Sequence, residues 1–187
     1  DKQWAIEANN LSTINNVIVV PSIAEYDGIV KLISSLEQNN PEHFFDTLIL
    51  FVVNNISSAA DDIKENNKQS LQYLRDKINN SANSNGLRIG LIDASTSGNE
   101  LDLKHGGVGL ARKTGMDACL SILDYSIVKK KIIICLDADC TVSNNYLEEI
   151  IRSFNENNLS AASINFKHNI DENSGTTAAI ICYEIFL

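Results

Sequence analysis

The sequence predicts an α/β protein: a mostly parallel sheet with helices on both faces. Three observations lead there. Apolar, β-branched runs are continuous rather than alternating, as in strands buried on both faces. Between them lie segments whose apolar residues recur at helical spacing. Asparagine pairs mark the boundaries, at Asn15-Asn16, Asn39-Asn40, Asn54-Asn55, Asn79-Asn80, Asn144-Asn145 and Asn157-Asn158. Such short amide side chains bond nearby backbone and favour turns and caps.

The elements follow in order. NVIVVP (16–21) reads as the first strand, and Ile29, Leu32, Ile33 and Leu36 as the buried stripe of the first helix. TLILFVV (47–53) is the second strand; Leu71, Leu74 and Ile78 mark the second helix. LRIGLID (87–93) is the third strand, and Ala111, Gly115, Ala118, Cys119 and Ile122 share one face of the third helix. KIIICLD (131–137) is the fourth strand, followed by a helix on Leu147, Ile150, Ile151 and Phe154. LSAASINF (159–166) is expected as a fifth strand and the final apolar segment as a fifth helix. SANSNG (81–86) is a polar connector, while STSGNELDLKHGG (95–107) is long enough to invite a functional reading. No internal repeat is present, and 187 residues suffice for a single domain, 1–187.

A net charge of −9 argues against nucleic acid or an anionic membrane as the main partner, though not against a local basic pocket. The 4 cysteines form no CxxC pair, so a zinc site is not expected. Cys119 and Cys135 read as core thiols and Cys140, beside two aspartates, as partly exposed; this usage fits a reducing compartment and hence the cytoplasm. No apolar run is long enough to cross a bilayer. The chain starts at Asp1 and stops within AAIICYEIFL, so the expectation is a piece of a longer protein.

Four stretches carry chemistry. HGGVGLARKT (105–114) resembles a phosphate loop, but Arg112 occupies the second glycine of G-x-x-x-x-G-K-[ST], where a side chain obstructs the backbone nest. The dinucleotide pattern G-x-G-x-x-G fails at the same residue. What remains is a glycine-rich helix start with Arg112 in its first turns, which either binds an anion or is simply flexible. ICLDADCTV (134–142) ends an apolar strand with Asp137 and Asp139. In extended backbone these point to one side and make half of a site for Mg²⁺ or Mn²⁺; the alternative is a solvated turn with acidic caps. VVPSIAEYDG (19–28) ends the first strand at Pro21 and opens a helix near Glu25, and VVNNISSA (52–59) ends the second strand in two amides. Singly these read as turn chemistry; together they line one edge of one sheet, where open α/β folds bind ligands.

In that order, VVPSIAEYDG, VVNNISSA, GVGLARKTG and LDADC resemble the motifs of the family 2 glycosyltransferases of GT-A fold. Those read Pro-x-x-Asn-Glu, Asp-Asp/Asn-x-Ser, Gly-x-x-x-Ala-Arg-Asn-x-Gly and Asp-x-Asp. The resemblance implies that Pro21, Ser22 and Glu25 border a nucleotide, that Asn54 stands where an aspartate contacts the base, and that Arg112 approaches base or diphosphate. It implies that Asp137 and Ala138 lie along ribose and phosphates, with Asp139, and Asp137 beside it, on the metal. Ala24, Asn54 and Lys113 depart from the family's Asn, acid and Asn. The family's catalytic carboxylate lies further downstream, and none of Glu148, Glu149, Asp171 and Glu172 is assigned that role.

The implied reaction moves a sugar from a UDP- or GDP-sugar to a hydroxyl of a saccharide or lipid-linked acceptor. It proceeds with inversion and Mn²⁺ or Mg²⁺, in the cytoplasm or peripherally at the inner membrane face. The acceptor-binding part is expected outside these residues. Two other readings stand beside it. DADCT (137–141) also fits the D-x-D-x-T of haloacid-dehalogenase-type phosphatases, with Asp137 as nucleophile and Asp139 as acid/base. The chain could also be a non-catalytic module that binds a nucleotide-sugar.

Overall fold

The computed structural model describes residues 3–80, 86–104, 106–168, 179, 180 and 182. The order is β1 (Glu7–Ala8), β2 (Asn16–Ser22), α1 (Tyr26–Leu36), a 3-10 turn (Pro41–His43), β3 (Thr47–Asn54), α2 (Asp61–Asn79), β4 (Arg88–Ala94), α3 (Val108–Cys119), β5 (Ile132–Cys135) and α4 (Tyr146–Glu156). The strands form one sheet in the order β1-β4-β3-β2-β5. All neighbours pair in parallel except β1, which runs antiparallel to β4. The protein is therefore α/β with a mostly parallel sheet.

The continuous apolar runs are explained by burial on both faces. Every residue of β2 and β3 is buried. Because side chains alternate along a strand, Ile18, Val20, Ile49, Phe51 and Val53 face one layer, with Ile29, Leu32 and Ile33 of α1, Leu71 and Leu74 of α2 and Leu147 of α4. Val17, Val19, Leu48, Leu50 and Val52 face the other, with Ala111 and Cys119 of α3. Each such aliphatic side chain contributes about 1.5–3 kcal/mol on burial. α3 lies close to the sheet because Gly115 has no side chain: a Cβ there would stand 2.5 Å from Val19 Cγ1 and 2.9 Å from Val52 Cγ2.

Four expectations change. β5 ends at Cys135, two residues short of Asp137, because the chain turns there: the Cys140 amide donates to the Asp137 carbonyl at 3.2 Å. Residues 159–166 form no strand, and all but Leu159 are exposed. The small side chains of Ser160, Ala161, Ala162 and Ser163 offer little apolar area to drive burial, and Ile164 and Phe166 stand in solvent. Cys135 is exposed rather than in the core, because it closes an edge strand. β1 is a further strand with no apolar run to announce it. Of the final segment only Ala179, Ile180 and Cys182 are described, and these are helical. The SANSNG connector, Gly86 apart, lies outside the described residues. No helix among the described residues is long and apolar enough to cross a membrane.

Candidate functional site

The chain runs β2, β3, β4 in one direction across the sheet and then returns to place β5 on the other side of β2. The carboxyl ends of β2 and β5 are thus neighbours at a switch point, the place where open α/β sheets as a class hold their ligands, in a crevice between diverging loops. Two sequence-expected stretches meet there.

After β2, Ser22 is buried, Ile23 is exposed, and Ala24 adopts φ 55°. That left-handed backbone suits glycine or asparagine and costs an alanine about 1 kcal/mol. Glu25 precedes α1. After β5 the Asp137–Cys140 turn lies directly on the first turn of α1. A Cβ on Gly28 would stand 2.7 Å from the Ala138 carbonyl oxygen, so only glycine allows the approach. Ala138 is buried at this contact.

The two aspartates have different neighbours. Asp137 Oδ1 accepts from Arg112 Nη2 of α3 at 2.6 Å, whereas Asp139 faces Glu25 at the start of α1. Burial, and then the Asp139 charge, push the Glu25 carboxyl above its ordinary value. The expectation that both carboxylates share one side holds for extended backbone; a turn spans these residues instead. Cys140, in the same turn, has its thiol raised by burial and by the charges of Asp139 and Asp137.

Glu25, Arg112, Asp137 and Asp139 thus gather at this edge through their mutual contacts, while Pro21, Ser22 and Ala138 lie beside them and are themselves buried. Asn54 does not present its donors there. It is 2% exposed, and its Nδ2 donates to the Ser22 carbonyl at 2.9 Å and the Val52 carbonyl at 3.2 Å. The amide ties β3 to β2. Two buried atoms beside the crevice, Ser22 Oγ and Arg112 Nε, have no hydrogen-bond partner among the described residues. The cation beside Asp137 is Arg112, where a phosphatase of the kind considered above would need a lysine.

α3 starts above the same edge. Its cap, Gly107, has φ 150°, and nothing lies within 4 Å of where its Cβ would be. Among the described residues no side chain caps the helix, and no acidic residue occupies its first turn, a helix start whose first amides and positive end suit an anion. The long loop before it is built into the fold. The Leu101 amide donates to the Asn55 carbonyl at 3.0 Å, and Trp4 Nε1 to the Asn99 carbonyl at 2.7 Å.

Sequence reasoning missed three contributors. Gly28 permits the turn contact. Asn66 and Asn67 of α2 hold the loops after β2 and β3; an asparagine pair inside a helical pattern was the available signal, since asparagine is a poor helix former. Asp93, at the end of β4, would be raised by burial, but hydrogen bonds from Thr96, Ser95 and Arg75 outweigh this and hold it below its ordinary value.

Among the described residues no three His, Cys, Asp or Glu side chains stand close enough to hold a metal by themselves. The donors that exist are hard oxygens: Asp139, which makes no ion pair among the described residues, and Asp137, with one oxygen engaged by Arg112. Such a set fits Mg²⁺ or Mn²⁺ held by one or two carboxylates together with phosphate oxygens and water, and does not fit an all-protein cage.

Fold and edge together define an open α/β protein with charged side chains gathered at its switch point. No family model matches the sequence, and no curated protein matches it. Among solved structures the chain is similar to two crystal structures of S. aureus TarS 1–349, one of them in complex with UDP-GlcNAc. Both superpose with a TM-score of 0.47 at 14% identity, over 82% of this chain and 39% and 38% of those chains. The chain thus spans about two fifths of the length of the structures it matches.

Proposed function

We propose that this chain is the nucleotide-sugar-binding region of a glycosyltransferase that uses a UDP- or GDP-sugar and Mn²⁺ or Mg²⁺. The observation that carries the reading is the meeting of Arg112, Asp137, Asp139 and Glu25 at the switch point. A guanidinium and free helix amides lie on one side of the crevice, and carboxylates short of positive charge on the other. A nucleoside diphosphate with a divalent cation complements both sides. The ordered resemblance of the four motifs to family 2 glycosyltransferases points the same way.

Arg112 and the α3 amides would bind the diphosphate and favour the charge that develops on it as the sugar departs. Ser22 and Ala138 would border the nucleoside. Asp139, with Asp137 beside it, would hold the cation, which supplies Lewis-acid neutralisation of the leaving group. The family resemblance implies inversion, with a carboxylate base deprotonating the acceptor hydroxyl.

The test is calorimetry with UDP and GDP, each with Mn²⁺ and with chelator. Binding is expected to be more than about tenfold tighter with metal, a difference of about 1.4 kcal/mol, and Asp139→Asn should remove most of that gain. Equal affinity with and without metal would sink the proposed site. A rise in melting temperature with beryllofluoride and Mg²⁺, but not with the nucleotides, would favour the phosphatase reading.

A further inference from the structure

Asn67 lies in α2, outside the crevice, and is 1% exposed. Its Nδ2 donates to the Asn54 carbonyl at 2.9 Å and to Asn55 Oδ1 at 2.8 Å, while its Oδ1 accepts the Ala24 amide at 2.9 Å. One buried amide therefore joins the loop after β2 to the loop after β3 and uses both its donor hydrogens to do so. The preceding residue extends the clamp, since Asn66 Oδ1 accepts the Tyr26 amide at 3.0 Å.

The bond to Ala24 falls on the residue with left-handed backbone, φ 55°. Such backbone persists only where surrounding contacts over-determine it. Ala24 lies between Ser22 and Glu25, two residues that border the crevice, so the conformation of Ala24 sets how both are presented. A helix core position would ordinarily take an apolar residue; a buried asparagine with every donor satisfied specifies one arrangement instead.

We propose that Asn67 is a positioning residue for the nucleotide-diphosphate site: it holds the Ser22–Glu25 loop against the Asn54-Asn55 loop in the ligand-ready shape. The proposal rests on the functional reading above and deepens it. It differs from a merely structural role in where the effect appears. Loss of the amide changes the affinity of the crevice through the loop, and the effect follows the hydrogen-bond donor.

The experiment compares wild type, Asn67→Ala and Asn67→Asp by calorimetry with UDP and GDP plus Mn²⁺, well below each melting temperature, at pH 8 and pH 5. Aspartate keeps the acceptor for Ala24 and loses the donors. Burial and the facing carbonyl raise the pKa of the introduced carboxyl, so it regains a donor as pH falls. We expect Asn67→Ala to bind about tenfold or more weakly at both pH values. Asn67→Asp should be weak at pH 8 and approach wild type, measured at the same pH, at pH 5. Folded variants with wild-type affinity at both pH values would overturn the proposal.

If neither variant folds, amide hydrogen exchange on the wild type decides. Slow exchange at Ala24 and Tyr26 supports the clamp, and exchange at the rate of an open loop overturns it. Wild type that binds neither nucleotide would overturn the functional reading and this proposal with it, whereas a wild type that binds beside folded variants of unchanged affinity overturns this proposal alone.

Discussion

At the amino edge of the sheet, Asp46 is 1% exposed and fully engaged. Its carboxylate accepts from Asn15 Nδ2 at 3.2 Å, Asn16 Nδ2 at 3.3 Å and Lys129 Nζ, and its carbonyl accepts the Asn15 and Asn16 amides. Lys131 Nζ closes the cluster on Asn15 Oδ1 at 2.7 Å. At the carboxyl edge of the same strands, and among the described residues, Ser22 Oγ and Arg112 Nε are buried without hydrogen-bond partners and Asp139 makes no ion pair. Both edges carry amides, carboxylates and cations. Unmet bonding capacity distinguishes them: a saturated cluster stabilises the fold, whereas an unsaturated one has capacity left for a ligand.

The largest expected effect is at the saturated edge. Asp46→Ala leaves Asn15, Asn16 and Lys129 without their shared acceptor and should cost about 3 kcal/mol, read from urea unfolding. A cost below about 1 kcal/mol would mean that water replaces the carboxylate and that this edge is less closed than the geometry implies. Asp139→Asn, at the other edge, should leave unfolding within about 0.5 kcal/mol of wild type while weakening metal-linked binding.

A smaller effect is expected at Ala24. Ala24→Asn relieves an alanine held at φ 55°, since asparagine tolerates this backbone better. It should raise stability by about 0.5 kcal/mol. No change in the urea midpoint would mean that the bond to Asn67 already offsets the strain.

The smallest concerns Glu25. Its folded-state pKa is raised above the ordinary 4.5, so the folded protein binds this proton more tightly than the unfolded chain. Stability from this group is therefore greatest below the ordinary value and falls as pH rises towards the raised one. Glu25→Gln should melt slightly higher than wild type at pH 7, with the gap closing below about pH 4. A gap that widens as pH falls would show that Glu25 gains from its charged form.

How much of this was legible follows from the range of each interaction. β2, β3 and the stripes of α1 and α2 depend on burial, which leaves a periodic trace in the local sequence. The Asp137–Asp139 stretch was legible as a site but not in its geometry. An apolar strand and the turn that ends it differ by one backbone hydrogen bond, from Cys140 to Asp137. The resemblance set Asn54 at the base by motif position, which says nothing of where its amide bonds; the Ser22 carbonyl that takes its Nδ2 is 32 residues away. Residues 159–166 have strand-like composition, but a strand needs a partner ladder, and composition does not supply one.

Gly28 places a limit on how this sequence can drift. The Asp-bearing turn rests on α1 through a contact that leaves no room for a methyl group, 2.7 Å from a carbonyl oxygen. Glu25 stands at the same contact: its Oε2 would lie 3.0 Å from a Cβ on Gly28, and its carboxyl feels the Asp139 charge. A side chain gained at residue 28 would displace the turn and alter the acidity of the crevice together. Position 28 and residues 137–140 therefore share one constraint, and a lineage that changes the first must compensate in the second or lose the charge balance of the edge.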